Sequence, residues 1–302
     1  MGQARIAIAA GDYRLTAAPG RGGSILALTW REQQVLREAA GADVLDVGCF
    51  PLVPWSNRIA GGRFDWNGRA ITLSPNFPTV DPRNPLHGFG WLSEWTVTEA
   101  VADLLRMEHV CPGGEWPWAY RAELVYALGD AGLTSRLALT NLAAEPMPAG
   151  LGFHPYFPRS AETCYLGLHR GEWESGTDGL PIRLDERERA IDWWNGKAVG
   201  ARAVDTVYTG RECALLLCWP DRGLALRIDC SDNLSCTSVY VPEGADWFCV
   251  EPVSHITDAV NRARDRAGDK DGMVVLQAGE TMVAELRWQA SEIDRESSDT
   301  ED

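Results

Sequence analysis

Arg-Ala-Glu-Leu-Val-Tyr-Ala-Leu at 121–128, Gly-Asp-Ala-Gly at 129–132 and Leu-Thr-Ser-Arg-Leu-Ala-Leu at 133–139 form one unbroken stretch. In its first arm Ala122, Leu124, Tyr126 and Leu128 recur every second residue, the period of a half-buried strand. The second arm alternates too, and a glycine at each end of the four intervening residues marks a turn. The stretch is a β-hairpin, and the pattern repeats along the chain. Residues 24–30 are apolar, Arg31-Glu32-Gln33-Gln34 is polar, and Val35-Leu36 returns. Residues 214–219 pair with 224–230 across Pro220-Asp221-Arg222-Gly223. Residues 273–276 and 281–288 flank Gln277-Ala278-Gly279-Glu280 as a final hairpin, with Met282, Ala284, Leu286 and Trp288 on one face of its second arm. Helical periodicity is confined to two short segments, 185–194 and 256–266. The fold class that follows is all-β, a large antiparallel β-sandwich. With no internal repeat and no linker-like segment, residues 1–290 read as a single domain, and the acidic, Ser-rich segment 291–302 as a disordered tail.

Composition narrows the function. A net charge of −15 opposes a phosphate-backbone partner, because nucleic-acid binders need a basic footprint. The 13 tryptophans suit either a deep core or a pocket that stacks on sugar rings. No apolar run approaches the ~18 residues of a spanning helix, and the N-terminal apolar segment is too short for a signal peptide. Eight scattered cysteines show neither a C-x-x-C pair nor zinc-like spacing, which points to reduced thiols in a cytoplasmic protein. Neither a G-x-G-x-x-G fingerprint nor metal-spaced ligands appear, so no cofactor and no metal are expected.

Four stretches carry chemistry. Gly150-Leu151-Gly152-Phe153-His154-Pro155-Tyr156-Phe157 sets a titratable histidine between an aromatic residue and a proline, surroundings that shift a pKa and mark a candidate acid or base. Phe50-Pro51-Leu52-Val53-Pro54-Trp55-Ser56-Asn57-Arg58-Ile59 is a proline-shaped loop in which Asn57 and Arg58 offer fixed donors; a structural Arg58 paired to a carboxylate is the alternative. Asn84-Pro85-Leu86-His87-Gly88-Phe89-Gly90-Trp91 places a second histidine between turn formers. In Val250-Glu251-Pro252-Val253-Ser254-His255 a carboxylate ends an apolar run, which is costly unless it is paired or working, and His255 is a candidate neighbour for it.

Taken together, these stretches resemble the aldose 1-epimerase (galactose mutarotase) family over nearly the whole chain, through Asn57-Arg58-Ile59, His87-Gly88, Trp116-Pro117-Trp118, the motif from Gly152 to Phe157, Glu251-Pro252 and Asp258-Ala259-Val260-Asn261. The run from Phe50 to Ile59 is similar to the bacterial, epimerase-like branch. The resemblance implies a galactose mutarotase-like supersandwich that interconverts the α and β anomers of a free sugar. It implies that His154 is the general acid, that Glu251 is the general base, and that Arg58 and His87, beside Asn57, bind sugar oxygens. A sugar-holding aspartate matches Asp205 best, with Asp192 as the fallback. Ring opening takes a proton from the C1 hydroxyl and gives one to the ring oxygen, so an acid and a base on opposite sides of the pyranose are expected. His109 and His169 match nothing in the family pattern and read as structural. Two other functions stay open: epimerisation of a phosphorylated hexose, for which Arg262, Arg264 and Arg266 are interleaved with Asp265, and non-catalytic sugar binding on the same fold.

Overall fold

The computed structural model describes residues 4–262 and 272–293. Its strands form mainly two large antiparallel sheets, one of eleven strands and one of eight, face to face as a β-supersandwich. The opening hairpin pairs throughout, from Tyr120 opposite Asn141 to Gly129 opposite Gly132, so Asp130 and Ala131 alone make the turn. Leu215–Trp219 and Leu224–Cys230 pair as expected. Among the described residues no helix is long and apolar enough to cross a membrane.

Three sequence expectations need correction. Segment 185–194 is not helical. It belongs to the strand Pro181–Asp192, which edges the eleven-stranded sheet beside Leu168–Ser175, and residues 192–196 then turn away. Its run of Asp, Glu and Arg has no apolar period to exploit, and charged side chains suit an exposed edge strand, where they discourage pairing with another chain. The helix expected at 256–266 is reduced to Ala259–Arg262, with residues 263–266 outside the described ones. The final hairpin does not form either. The turn closes locally, Glu280 N–H donating to Gln277 O, but Val274–Leu276 pairs with Met147–Ala149 while Thr281–Glu292 enters the eight-stranded sheet between Gly132–Asn141 and Leu224–Cys230. That last strand also overruns the expected domain edge at 290: Ser291 pairs with Ala225 and Glu292 with Leu224. The tail from 294 onward lies outside the described residues.

Five adjacent strands of the larger sheet matter most. In sheet order they are Cys49–Leu52, Gly152–Pro158, Trp247–Val253, Cys236–Val241 and Val204–Arg211. Alternation along each strand sends Phe153, Phe157, Phe248, Val250, Val239 and Tyr208 into the core shared with the other sheet, where Leu124, Tyr126, Leu286 and Trp288 meet them. The opposite face carries Phe50, His154, Tyr156, Cys249, Glu251, Ser238, Tyr240 and Asp205, and it forms the floor of a pocket. The Trp116-Pro117-Trp118 motif belongs to the core: both indoles are buried and stack with Trp55 and Phe64 at centroid distances of 5.0–6.4 Å. Of the 13 tryptophans, Trp91 and Trp247 reach the pocket.

Candidate active site

Strand register assembles the pocket floor. His154 pairs with Phe50 on one side. On the other, the alignment of Gly152 with Val253 and of Tyr156 with Cys249 sets His154 across from Glu251. Glu251 in turn pairs with Ser238, and Tyr240 with Asp205. Cross-strand neighbours on one face are close enough for side chains to meet, and His154 Nε2 lies 3.2 Å from Glu251 Oε1. The imidazole is clamped between the rings of Phe50 (4.5 Å, 26°) and Tyr156 (4.7 Å, 28°), with His87 edge-on at 5.2 Å. That sandwich holds the ring plane, so Nε2 stays aimed along the sheet at Glu251.

Two loops form the wall. Asn57 and His87 both have left-handed backbones, with φ of 57° and 58°. Such residues are sparse without a glycine and cluster where function over-determines the backbone. Gly88 follows with φ 70°, and a Cβ there would stand 2.0 Å from Val53 O, so only glycine fits. The two loops lock through Asn57 N–H, which donates to His87 Nδ1 at 3.1 Å. Nδ1 is therefore the acceptor, and the neutral ring carries its proton on Nε2, a donor for a ligand oxygen. Arg58 Nε donates to Asp81 at 2.9 Å, and Asn57 Oδ1 accepts from the Arg58 N–H and from its Nη1. Arg58 thus has both the carboxylate partner and a place in the pocket wall.

The pocket holds about 400 Å³, within the ordinary range for a small-ligand site. Asn57, Arg58, His87, His154, Asp205 and Glu251 all line it, as do Arg37, Tyr156, Tyr240 and Trp247, which sequence reasoning did not nominate. Tyr156 was legible as the residue two after His154 on a strand; nothing in the local sequence marks Arg37. Three other expectations resolve differently, while His109 and His169 stay out of the pocket as expected. Asp192 caps a surface turn, accepting from Trp194 N–H and Gly196 N–H. His255 does not neighbour Glu251: its Nδ1 donates to Ile256 O at 2.7 Å and its Nε2 accepts from Ser56 N–H at 3.2 Å, so it fastens the Arg58 loop from behind. His109 sits against Tyr120 and Trp95, and His169 bonds Thr237, all outside the pocket lining. Finally, His154 and Glu251 are not on opposite sides of the ligand space but touch each other.

Burial governs the charges. His154 is pushed down to about 3 by desolvation, and Arg37 adds to the lowering. Glu251 is raised well above the usual carboxylate range by desolvation and by Asp205, with Arg58 pulling it back. Asp205 is raised by burial as well, opposed by Arg58. His87 is held well below its ordinary value by burial, then by His154 and Arg58. Asp81 goes the other way. Burial alone would raise it, but hydrogen bonds from Asn84, from the Arg83 N–H and from Arg58 outweigh that and hold it low. Among the described residues, the donor atoms of His154, Cys249 and Glu251 lie within 4.8 Å of one another and are the group able to hold a metal ion. Burial raises the Cys249 thiol well above its ordinary value, so it is protonated and a weak ligand.

The matches to known proteins agree with this fold. The family model described as aldose 1-epimerase matches residues 5–289. The chain is 31% identical to the uncharacterised Escherichia coli K12 protein YphB, over 87% of this chain and 91% of that one. A crystal structure of a candidate aldose 1-epimerase from E. coli K12 superimposes with a TM-score of 0.86 at 27% identity, covering 96% of this chain and 99% of that one. A galactose mutarotase-like protein from Clostridium acetobutylicum gives a TM-score of 0.81 at 18% identity, covering 95% and 94%. With a family model spanning nearly its whole length and the supersandwich its strands build, this chain belongs to the aldose 1-epimerase family.

Proposed function

We propose that the protein is a mutarotase, interconverting the α and β anomers of an aldose by acid–base ring opening and closure. The observation that carries this reading is the 3.2 Å contact between His154 Nε2 and Glu251 Oε1 on the buried floor of a sugar-sized pocket. Burial favours the uncharged forms of both groups, a neutral imidazole and a carboxylic acid. One proton shift across the contact converts that pair into imidazolium and carboxylate, and the two titrate as a unit. In the second form Glu251 takes the proton of the C1 hydroxyl while His154 delivers its own to the ring oxygen. The C1–O5 bond breaks as the C1 carbonyl forms. Rotation about C1–C2 presents the other carbonyl face, and closure runs the transfers backwards, each group in the opposite role. Arg58, the Nε2–H of His87, Asn57 and Asp205 hold the sugar hydroxyls so that the turning end alone moves. All eight cysteines are free thiols, which suits the reducing cytoplasm. The test is a polarimetric rate assay over a panel of free aldoses, with spontaneous anomerisation subtracted. Acceleration by the wild type that Glu251→Gln loses while still binding sugar supports the reading. Saturable binding without any acceleration makes the protein a sugar-binding module instead.

A further inference from the structure

Arg37 belongs to no motif and to no step above, yet its guanidinium lines the same pocket. Its Cζ stands 4.0 Å over the Tyr156 ring and 5.0 Å from that of Trp247. From Tyr156 the stack continues to His154 at 4.7 Å, to Phe50 at 4.5 Å and to Trp91 at 5.2 Å. A continuous column therefore runs along the pocket from the cation to the imidazole, and Arg37 sits one ring beyond His154.

Its bonding leaves the charge available. Among the described residues its hydrogen bonds leave from Nη2 and go to the carbonyls of Leu45 and Val47, neutral acceptors that anchor the fork without compensating it. No carboxylate among the described residues forms an ion pair with it, whereas Arg58, the other guanidinium of the pocket, is matched by Asp81. Asp46 also lines the pocket, but its Oδ2 packs 2.3 Å from where a Gly41 Cβ would stand, and its charge acts on Arg21. Asp205 and Glu251 border Arg58, which draws both of them down. A half-buried guanidinium that stays charged and lacks a counter-ion is costly, and a ligand oxyanion would supply one through charge-assisted hydrogen bonds. The geometry of a pyranose indicates which part of the ligand reaches it. With His154 at the ring oxygen, the next ring atom bears the exocyclic carbon, and the column carries on in steps of one ring toward Arg37.

We propose that Arg37 determines the specificity of this pocket and takes an oxyanion, carboxylate or phosphate, borne on the exocyclic carbon of the sugar. The assignment rests on the mutarotase reading for its orientation of the ring. Its test compares a neutral hexose, the matching uronate and the matching 6-phosphate, in anomerisation rate and in calorimetric binding, for the wild type, Arg37→Gln and Arg37→Lys. The wild type should favour one of the two anionic sugars over the neutral one by about tenfold or more, the worth of a hydrogen bond to a charged group. Arg37→Gln should abolish that preference mainly through KM, and Arg37→Lys should keep part of it. Which anion wins separates carboxylate from phosphate. Equal use of neutral and anionic sugars by the wild type overturns the proposal, and this arm needs no variant to fold. So does a preference that survives in Arg37→Gln. If no sugar is anomerised but anion binding still depends on Arg37, the mutarotase reading fails and the assignment of Arg37 stands; if only neutral sugars are turned over, the reverse holds.

Discussion

The two faces of the five central strands have the same backbone and opposite chemistry. On one face Phe153, Phe157, Phe248 and Val250 are fully buried in the apolar core between the sheets. On the other, His154 and Glu251 are 7% and 3% exposed, almost as buried, yet they are polar and shifted away from their charged forms. The first face stabilises the fold by removing apolar surface from water. The second destabilises it by burying groups that water would solvate better, and the first compensates. Register keeps the two apart: a slip of one residue in any of these strands would exchange the faces.

Mutations on each face should therefore separate rate from stability. Within the mutarotase reading, His154→Asn should fold with an unchanged melting temperature and lose on the order of 10² to 10⁴ in rate, the usual worth of a positioned acid; wild-type rates from the purified variant would sink the assignment. Phe157→Ala should do the converse, costing roughly 3–5 kcal/mol of stability while each molecule that remains folded turns over normally; denaturant melts beside specific activity measure both. Next in size is Arg58. Lys keeps the charge but loses the planar fork that reaches Asp81 and Asn57 together. Arg58→Lys should thus lower kcat/KM nearly as far as Arg58→Ala, about tenfold or more for a lost charged hydrogen bond, and full turnover by the Lys variant would reduce Arg58 to a point charge.

Stability against pH sharpens the same contrast. The folded state raises Glu251, so it favours the protonated carboxyl. The stability this contributes is complete below the usual 4.5 and disappears as pH climbs into the raised range. Glu251→Gln removes the cost of the buried charge. Its melting temperature should exceed that of the wild type at pH 8, with the gap closing near pH 4; an equal gap at both values would mean that the carboxyl is not desolvated as described. His154 has the opposite sign. Depressed to about 3, it contributes stability above 6.5 that fades as pH falls toward 3, as do His169, also about 3, and His255, about 4. The smallest effect concerns the chain end. Truncation after Gln289 reads as harmless from composition, but it strips the pairs of Ala290, Ser291 and Glu292 and the bond from Ala290 N–H to Tyr13 Oη. A drop of a few degrees in Tm is expected, since about 1 kcal/mol moves Tm by roughly 2–4 °C in a protein of this size.

Local pattern alone determined much of this molecule. Period-two alternation with glycine or proline turns named the hairpins at 121–139 and 214–230, because hairpin pairing is decided by residues close in sequence. The family resemblance, rather than local pattern, nominated the six residues that line the pocket, and strand alternation accounts only for the faces of His154, Glu251 and Asp205. Tertiary structure decided the rest. Segment 185–194 became an edge strand because a neighbouring strand was there to pair with, and 274–276 left its local turn because Met147–Ala149 offered a longer-range partner. His255 and His154 look alike in sequence, both set in apolar-rich segments. The fold saturates one with a backbone N–H and a carbonyl and presents the other to a carboxylate. Arg37 carries no sequence signal at all. Its place over Tyr156 depends on a strand more than a hundred residues further along the chain, and a contact between such distant segments exists only once the sheet has closed around it.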